Sequence, residues 1–175
     1  TTLAITGLTA NTTYVINTRA VGVGVSSTTQ VASTRTLAIV PTLTSFQVFA
    51  TSISVSINTQ NNPNGTGLSV STNAFGVGSS SIGVAGGNPT TLAMTGLIPN
   101  TTYGVDIGAF DGSGSASTQS ALGSEISTRT RAALATVSSF QIFTTSVSVT
   151  LGSNGNPTGT ALMISTGAGG HYEVT

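Results

Sequence analysis

Short runs of strict apolar–polar alternation punctuate this chain. Ile53-Ser54-Val55-Ser56-Ile57 alternates with period two, and so does Val147-Ser148-Val149-Thr150-Leu151. Tyr103, Val105, Ile107 and Ala109 share one side of a further run, with Asp106 on the other. Successive side chains of a strand point to opposite faces, so this pattern predicts strands with one buried face and one wet face, as in antiparallel sheets. The runs are rich in Val, Ile and Thr, which suit a pleated, half-buried surface. Clusters of Gly, Asn, Pro and Ser separate them and mark turns. No segment carries a helical period, so the chain reads as all-β.

The pattern also repeats. Thr1-Thr2-Leu3-Ala4-Ile5-Thr6-Gly7-Leu8 returns as Thr90-Thr91-Leu92-Ala93-Met94-Thr95-Gly96-Leu97, an offset of 89 residues (90 − 1). Asn11-Thr12-Thr13-Tyr14 returns as Asn100-Thr101-Thr102-Tyr103 at the same offset. Ser33-Thr34-Arg35-Thr36 returns as Ser127-Thr128-Arg129-Thr130 at an offset of 94 (127 − 33), which requires five inserted residues (94 − 89), around Asp111 to Ala121. Ser45-Phe46-Gln47-Val48-Phe49 and Asn62-Pro63 also return 94 residues on, as Ser139-Phe140-Gln141-Ile142-Phe143 and Asn156-Pro157. The match fades from Gly167 to Thr175. Solenoid units span about 20–50 residues; a longer period means a whole domain per repeat. About seven short strands per period point to an immunoglobulin-like sandwich.

Gly96-Leu97-Ile98-Pro99-Asn100-Thr101-Thr102-Tyr103, with the alternation that follows it, resembles the tyrosine corner of fibronectin type III repeats. Its copy is Gly7-Leu8-Thr9-Ala10-Asn11-Thr12-Thr13-Tyr14. The resemblance covers nearly the whole chain. It implies tandem antiparallel β-sandwiches in which Tyr14 and Tyr103, with Leu8 and Leu97, lock the corner between two sheets. The family's strand-B Trp has no counterpart: the chain contains no Trp, and Ile57 and Leu151 stand about where it would fall. The implied core is therefore more aliphatic.

Laying the family's strand order on the chain gives three segments. Residues 1–37 correspond to strands E, F and G, the C-terminal half of a repeat. Residues 38–132 form a complete repeat, and residues 133–175 correspond to strands A, B and C. A half sandwich exposes an apolar face and unpaired edges. The two halves are therefore expected to be completed by the continuing chain or head-to-tail by another copy, the latter being an open, filament-forming geometry. The linker Leu37 to Thr42 is too short for independent tumbling of its neighbours.

Composition narrows the function. Only 5% of residues are charged, against roughly 25% in a typical globular chain. The cations are Arg19, Arg35, Arg129 and Arg131, the anions Asp106, Asp111, Glu125 and Glu173, and the net charge is zero. This leaves no polybasic footprint for nucleic acid, and no apolar run reaches the ~20 residues of a membrane span. Ser and Thr supply about a third of the residues, a surface with little charge repulsion between copies and well suited to assembly or to glycans. There is no cysteine, so disulfides and thiolate metal sites are excluded.

The side chains needed for catalysis are sparse. His171 is the single histidine and lies where the repeat has faded. Asp106 reads as an outward strand residue and Asp111 as a loop residue, not as a catalytic pair. Asp111-Gly112-Ser113-Gly114-Ser115 offers one carboxylate where calcium loops use several, and reads as the connection between strands F and G. Gly83-Val84-Ala85-Gly86-Gly87 opens no helix and reads as a connection before strand E. Asn11, Asn64 and Asn100 head Asn-x-Ser/Thr sequons and are candidate glycan acceptors. Phe46 and Phe140 are expected in cores, while for Phe49 and Phe143 a core place and packing on a neighbouring domain or another chain both stay open. These features lead to the expectation of a non-enzymatic, cofactor-free structural module of an extracellular filament or repetitive surface protein, with other copies of itself or adjacent repeats as partners. An adhesion, ligand-binding or spacer module of a secreted polysaccharide-active protein is the alternative, with Phe110 as a candidate exposed aromatic.

Overall fold

A computed structural model describes residues 1–175 except 73–79, 85–86, 111–118, 124, 166, 168–170 and 175. For 80–84, 119–122 and 171–174 the backbone alone is described. Among the described residues the chain is all-β, with no helix. Its strands are β1 (Thr13–Thr18), β2 (Gln30–Arg35), β3 (Thr42–Val48), β4 (Ser52–Asn58), β5 (Gly67–Thr72), β6 (Ser80–Val84), β7 (Thr90–Thr95), β8 (Thr102–Phe110), β9 (Gln119–Leu122), β10 (Ile126–Arg129), β11 (Thr136–Ile142), β12 (Val147–Gly152), β13 (Leu162–Ser165) and β14 (His171–Val174). Among the described residues every pairing is antiparallel and no sheet closes into a barrel.

Two sheets lie in the middle of the chain. One has the order β3-β4-β7; the other runs β10-β8-β5-β6, with β9 also paired to β8. Period-two alternation decides what each strand gives to the core. Ile53, Val55 and Ile57 of β4 and Leu92 and Met94 of β7 join Leu68 and Val70 of β5 and Val105, Ile107 and Ala109 of β8 in one buried cluster. Two sheets sharing one core in this way are consistent with a β-sandwich. In β3, Leu43, Phe46 and Val48 all pack against that cluster. Leu43 and Phe46 can share a face because a bulge between Leu43 and Ser45 resets the alternation.

Three expectations need correction. The opposite side of β5 and β8 is not wet: Ser69 and Ser71 are buried, and Asp106 is only 7% exposed. Asp106 alternates with the core residues and pairs with Ser71 in the neighbouring strand. Alternation here separates the core face from the other face of the sheet, not protein from water. Phe110, expected to be exposed, is 8% exposed. Phe140 is 62% exposed, whereas its counterpart Phe46 packs on the core.

The flanking segments carry the same local structure without its cover. The β11–β12 hairpin pairs Phe140 with Val149 and has its bulge between Val137 and Ser139; the β3–β4 hairpin pairs Phe46 with Val55 and has its bulge at the matching place. The β1–β2 pairing, Tyr14 with Thr34, likewise matches β8–β10, Tyr103 with Thr128. The β1–β2, β11–β12 and β13–β14 pairs remain separate two-stranded sheets. Residues 1–6 share most of the sequence of β7 yet form no strand: in β7 the hydrogen bonds go to β4, and among the described residues no strand pairs with residues 1–6.

Burial sets the energetic difference between equivalent positions. Truncating a fully buried Met costs about 2–5 kcal/mol, whereas exposed positions generally cost within about 0.5 kcal/mol. Met94→Ala is therefore expected to lower the unfolding free energy by about 2–5 kcal/mol, and its counterpart Ile5→Ala by about 0.5 kcal/mol or less. Urea unfolding of the two variants in dilute solution checks this; equal losses would contradict the assignment of one covered and one uncovered face.

Candidate functional site

Two segments 94 residues apart, around residues 37–41 and 131–135, carry an extensive polar construction, and they are built alike. At the first, Asn62 sits in the turn after β4. Its Oδ1 accepts the Ile39 N–H at 2.8 Å, and its Nδ2 donates to the carbonyls of Ile39 at 2.8 Å and Thr59 at 2.7 Å. One buried amide thus ties the linker to the following unit at both its donor and its acceptor. From the other side, the Asn11 N–H donates to the Leu37 carbonyl at 3.1 Å. Asn11 Nδ2 crosses directly to Thr66 Oγ1 at 2.9 Å, and Thr66 Oγ1 donates to the Pro63 carbonyl at 2.8 Å. Asn11, Asn62, Thr66, Ala38 and Pro41 are all buried.

The second junction repeats these contacts. Asn156 Oδ1 accepts the Ala133 N–H at 2.8 Å, and Asn156 Nδ2 donates to Ala133 at 2.8 Å and Ser153 at 2.7 Å. The Asn100 N–H reaches the Arg131 carbonyl at 3.1 Å, Asn100 Nδ2 reaches Thr160 Oγ1 at 2.8 Å, and Thr160 Oγ1 donates to Pro157 at 2.8 Å. This junction has additional contacts. The Arg129 guanidinium donates twice to the Asn100 carbonyl, at 3.2 and 3.1 Å, and the Arg131 N–H donates to the Phe49 carbonyl at 3.1 Å.

Two requirements select Asn at the bridging position. Asn11 and Asn100 adopt φ of 46° and 50°, in the left-handed region that Asn tolerates better than other residues with a Cβ. The position also needs a side-chain N–H to reach across. Glycine meets the first requirement alone, and aspartate lacks the donor.

The tyrosines brace the approach to each junction. The Tyr14 hydroxyl accepts the Thr9 N–H at 2.9 Å, and the Tyr103 hydroxyl accepts the Ile98 N–H at 2.9 Å, five residues upstream in both cases. Thr36 and Thr130 close the same loops: each Oγ1 accepts a backbone N–H, from Thr12 at 3.0 Å or Thr101 at 2.9 Å, and donates to a carbonyl of Thr9 at 2.6 Å or Ile98 at 2.7 Å. Leu97 is buried beside Tyr103, while Leu8 is exposed. Of the sequon asparagines, Asn64 lies exposed in a turn, whereas Nδ2 of Asn11 and of Asn100, the atom a glycan would occupy, is engaged in a junction bond.

Sequence reasoning noted that Asn62-Pro63 recurs as Asn156-Pro157 but did not assign the pair a role. The available signal was joint recurrence: the Asn-Pro pair and the Thr after it keep one offset, and the bridging Asn keeps the other. Asp111 and the loop that follows it lie outside the described residues, as does the side chain of His171. Among the described residues, no group of three or more His, Cys, Asp or Glu side chains is placed to hold a metal, and no helix is long and apolar enough to cross a membrane. No protein-family model matches the chain, and no curated protein matches it significantly.

A buried polar group left unpaired costs about 1–3 kcal/mol. Asn62→Ala removes the side-chain partner of the Ile39 N–H and C=O, while the Thr59 C=O keeps the backbone N–H of residue 62, so a loss of about 1–3 kcal/mol in unfolding free energy is expected. Asn11→Gly is expected to be milder than Asn11→Ala by about 1 kcal/mol, because only the alanine is also strained at positive φ. Chemical denaturation of the three variants measures both differences; Asn11→Gly costing as much as Asn11→Ala would remove backbone conformation from the account.

Proposed function

We propose that this chain is a structural, non-catalytic segment of tandem fibronectin type III-like sandwiches, set in series in an extracellular filament or large repetitive surface protein. The observation that carries the reading is the duplicated junction. Domains joined by short linkers move relative to one another by default unless an interface holds them. Here the linker backbone is hydrogen-bonded from both sides, and an Asn–Thr bridge crosses between the units directly. Building the same clamp twice serves spacing and stiffness along an axis; a catalytic or ligand-binding site would need no such duplication.

Three further features support the family-level reading. The partition of β3, β4 and β7 against β5, β8 and β10 follows that of immunoglobulin-like sandwiches, strands A, B and E facing C, F and G. The hydroxyls of Tyr14 and Tyr103 bond backbone upstream, as a tyrosine corner does. Low charge and abundant hydroxyls suit a surface meant to lie against copies of itself. The adhesive alternative loses support with the burial of Phe110, its main exposed-aromatic candidate.

Stiffness at the junctions is the testable content. NMR relaxation is expected to give residues 1–37 and the central unit one common tumbling time, and the double variant Asn62→Ala/Asn156→Ala separate, shorter ones. Independent tumbling of the parent chain would overturn the stiff-series reading.

A further inference from the structure

We propose that Asn64-Gly65 is a site of spontaneous covalent modification: Asn64 loses its side-chain amide through a cyclic imide, and the product releases the first junction while the second stays intact. The consequence for the junction rests on the reading of the chain as a stiff series; the chemistry at Asn64 does not.

Asn64 and Gly65 are the central pair of a tight turn. The Thr66 N–H donates to the Pro63 carbonyl at 3.1 Å, and Gly65 has φ of 89°, the left-handed value that this turn place requires and that glycine takes without strain. Both residues are exposed. Neither the Asn64 amide nor the Gly65 N–H makes a hydrogen bond among the described residues. Apart from its chain neighbours, no heavy atom lies within 4 Å of the point where a Gly65 side chain would begin. The Gly65 nitrogen is therefore screened neither by a side chain of its own nor by the rest of the fold.

Those are the conditions for ring closure. On losing its proton, the Gly65 nitrogen attacks the side-chain carbonyl carbon of Asn64. A new C–N bond closes a succinimide, the bond from that carbon to Nδ2 breaks, and Nδ2 takes up a proton and leaves as ammonia. Water then opens the ring at either carbonyl, giving aspartate or its β-linked isomer. Water is the only co-reactant.

The rest of the chain supplies the contrast. Its other Asn-Gly pair, Asn154-Gly155, is held. Asn154 Nδ2 donates to the Leu134 carbonyl at 3.0 Å, and Pro99 stands 3.9 Å from where a Gly155 side chain would begin. Giving up one ordinary hydrogen bond slows closure by about 2–10-fold. The place equivalent to Asn64 in the second junction is Thr158 (64 + 94), which has no amide to lose.

The modified turn carries the first bridge. Thr66 Oγ1 donates to the Pro63 carbonyl at 2.8 Å and accepts from Asn11 Nδ2 at 2.9 Å. The β-linked isomer lengthens the backbone between Pro63 and Thr66 by one carbon atom and moves the two apart. Either product adds a negative charge to a chain whose net charge is zero. The first junction loosens with age, and the second keeps its geometry.

Ageing the full chain in warm, mildly alkaline buffer tests this. Peptide mapping by mass spectrometry, with isoaspartate detection, follows both Asn-Gly pairs, and hydrogen exchange follows the junction amides. Conversion at Asn64 is expected to outrun that at Asn154 by at least about 2–10-fold. In the converted chain, protection of the Thr66 and Asn11 N–H groups is expected to fall at least tenfold, with that of Asn100 and Thr160 unchanged. The Asn64→Thr variant, which copies the second junction, is expected to keep its protection through the same treatment. An Asn64 that persists, conversion at Asn154 as fast as at Asn64, or a converted chain as well protected at Thr66 as aged Asn64→Thr would overturn the proposal. Selective conversion of Asn64 in a chain whose units tumble independently would remove the stiff series and leave the modification site standing; common tumbling with a persistent Asn64 would do the reverse.

Discussion

A β-sheet with one apolar face is stable only when a second sheet covers that face. This constraint organises the whole chain. In the central unit β3-β4-β7 and β10-β8-β5-β6 cover one another, and Ile53, Val55, Ile57 and Met94 are shut off from solvent. Beside it, β11–β12 keeps the register of β3–β4, with its bulge between residues 137 and 139 matching the one between 43 and 45, and β1–β2 keeps the register of β8–β10. The apolar side chains there are exposed, and the described residues place no complete second sheet over them. Hairpins are set locally by sequence, whereas the strand at residues 90–95 is set by its partner: its near-copy at residues 1–6 is not a strand.

The junctions extend this dependence along the chain axis. Charge contributes little to cohesion in a chain with 5% charged residues. Amides and hydroxyls do that work, through buried Asn62 and Asn156 on the linker backbone and the Asn11–Thr66 and Asn100–Thr160 bridges. Each such bond contributes only about 0.5–1.5 kcal/mol net, but leaving any of these groups buried and unpaired costs more. Directional, short-range contacts of this kind fix geometry between neighbours and are little affected by salt, which suits the spacing role proposed above.

Much of the fold was legible in the sequence, for physical reasons. Alternation at Ile53–Ile57 and Val147–Leu151 marked strands and their inward faces, and the two repeat offsets marked equivalent positions. Reading alternation as protein against water failed at Asp106 and Phe110. A period of two separates the two sides of a sheet and is silent on whether anything covers the outer one. Phe140 was misjudged for the converse reason: its residue type predicts a core, but burial depends on a facing sheet that the described chain does not place there. The junction was legible only in outline. Asn62 and Asn156 stand in Asn-Pro turn sequences, where composition alone gives them a local turn role; their bonds to Ile39 and Ala133 span 23 residues and depend on tertiary structure.

Backbone hydrogen exchange of residues 1–6, compared with residues 90–95, tests most directly that a neighbouring strand decides which of these near-copies becomes a strand. The account predicts near-unprotected amides at residues 1–6 and strong protection at residues 90–95. Protection of residues 1–6 as strong as that of residues 90–95 would contradict it.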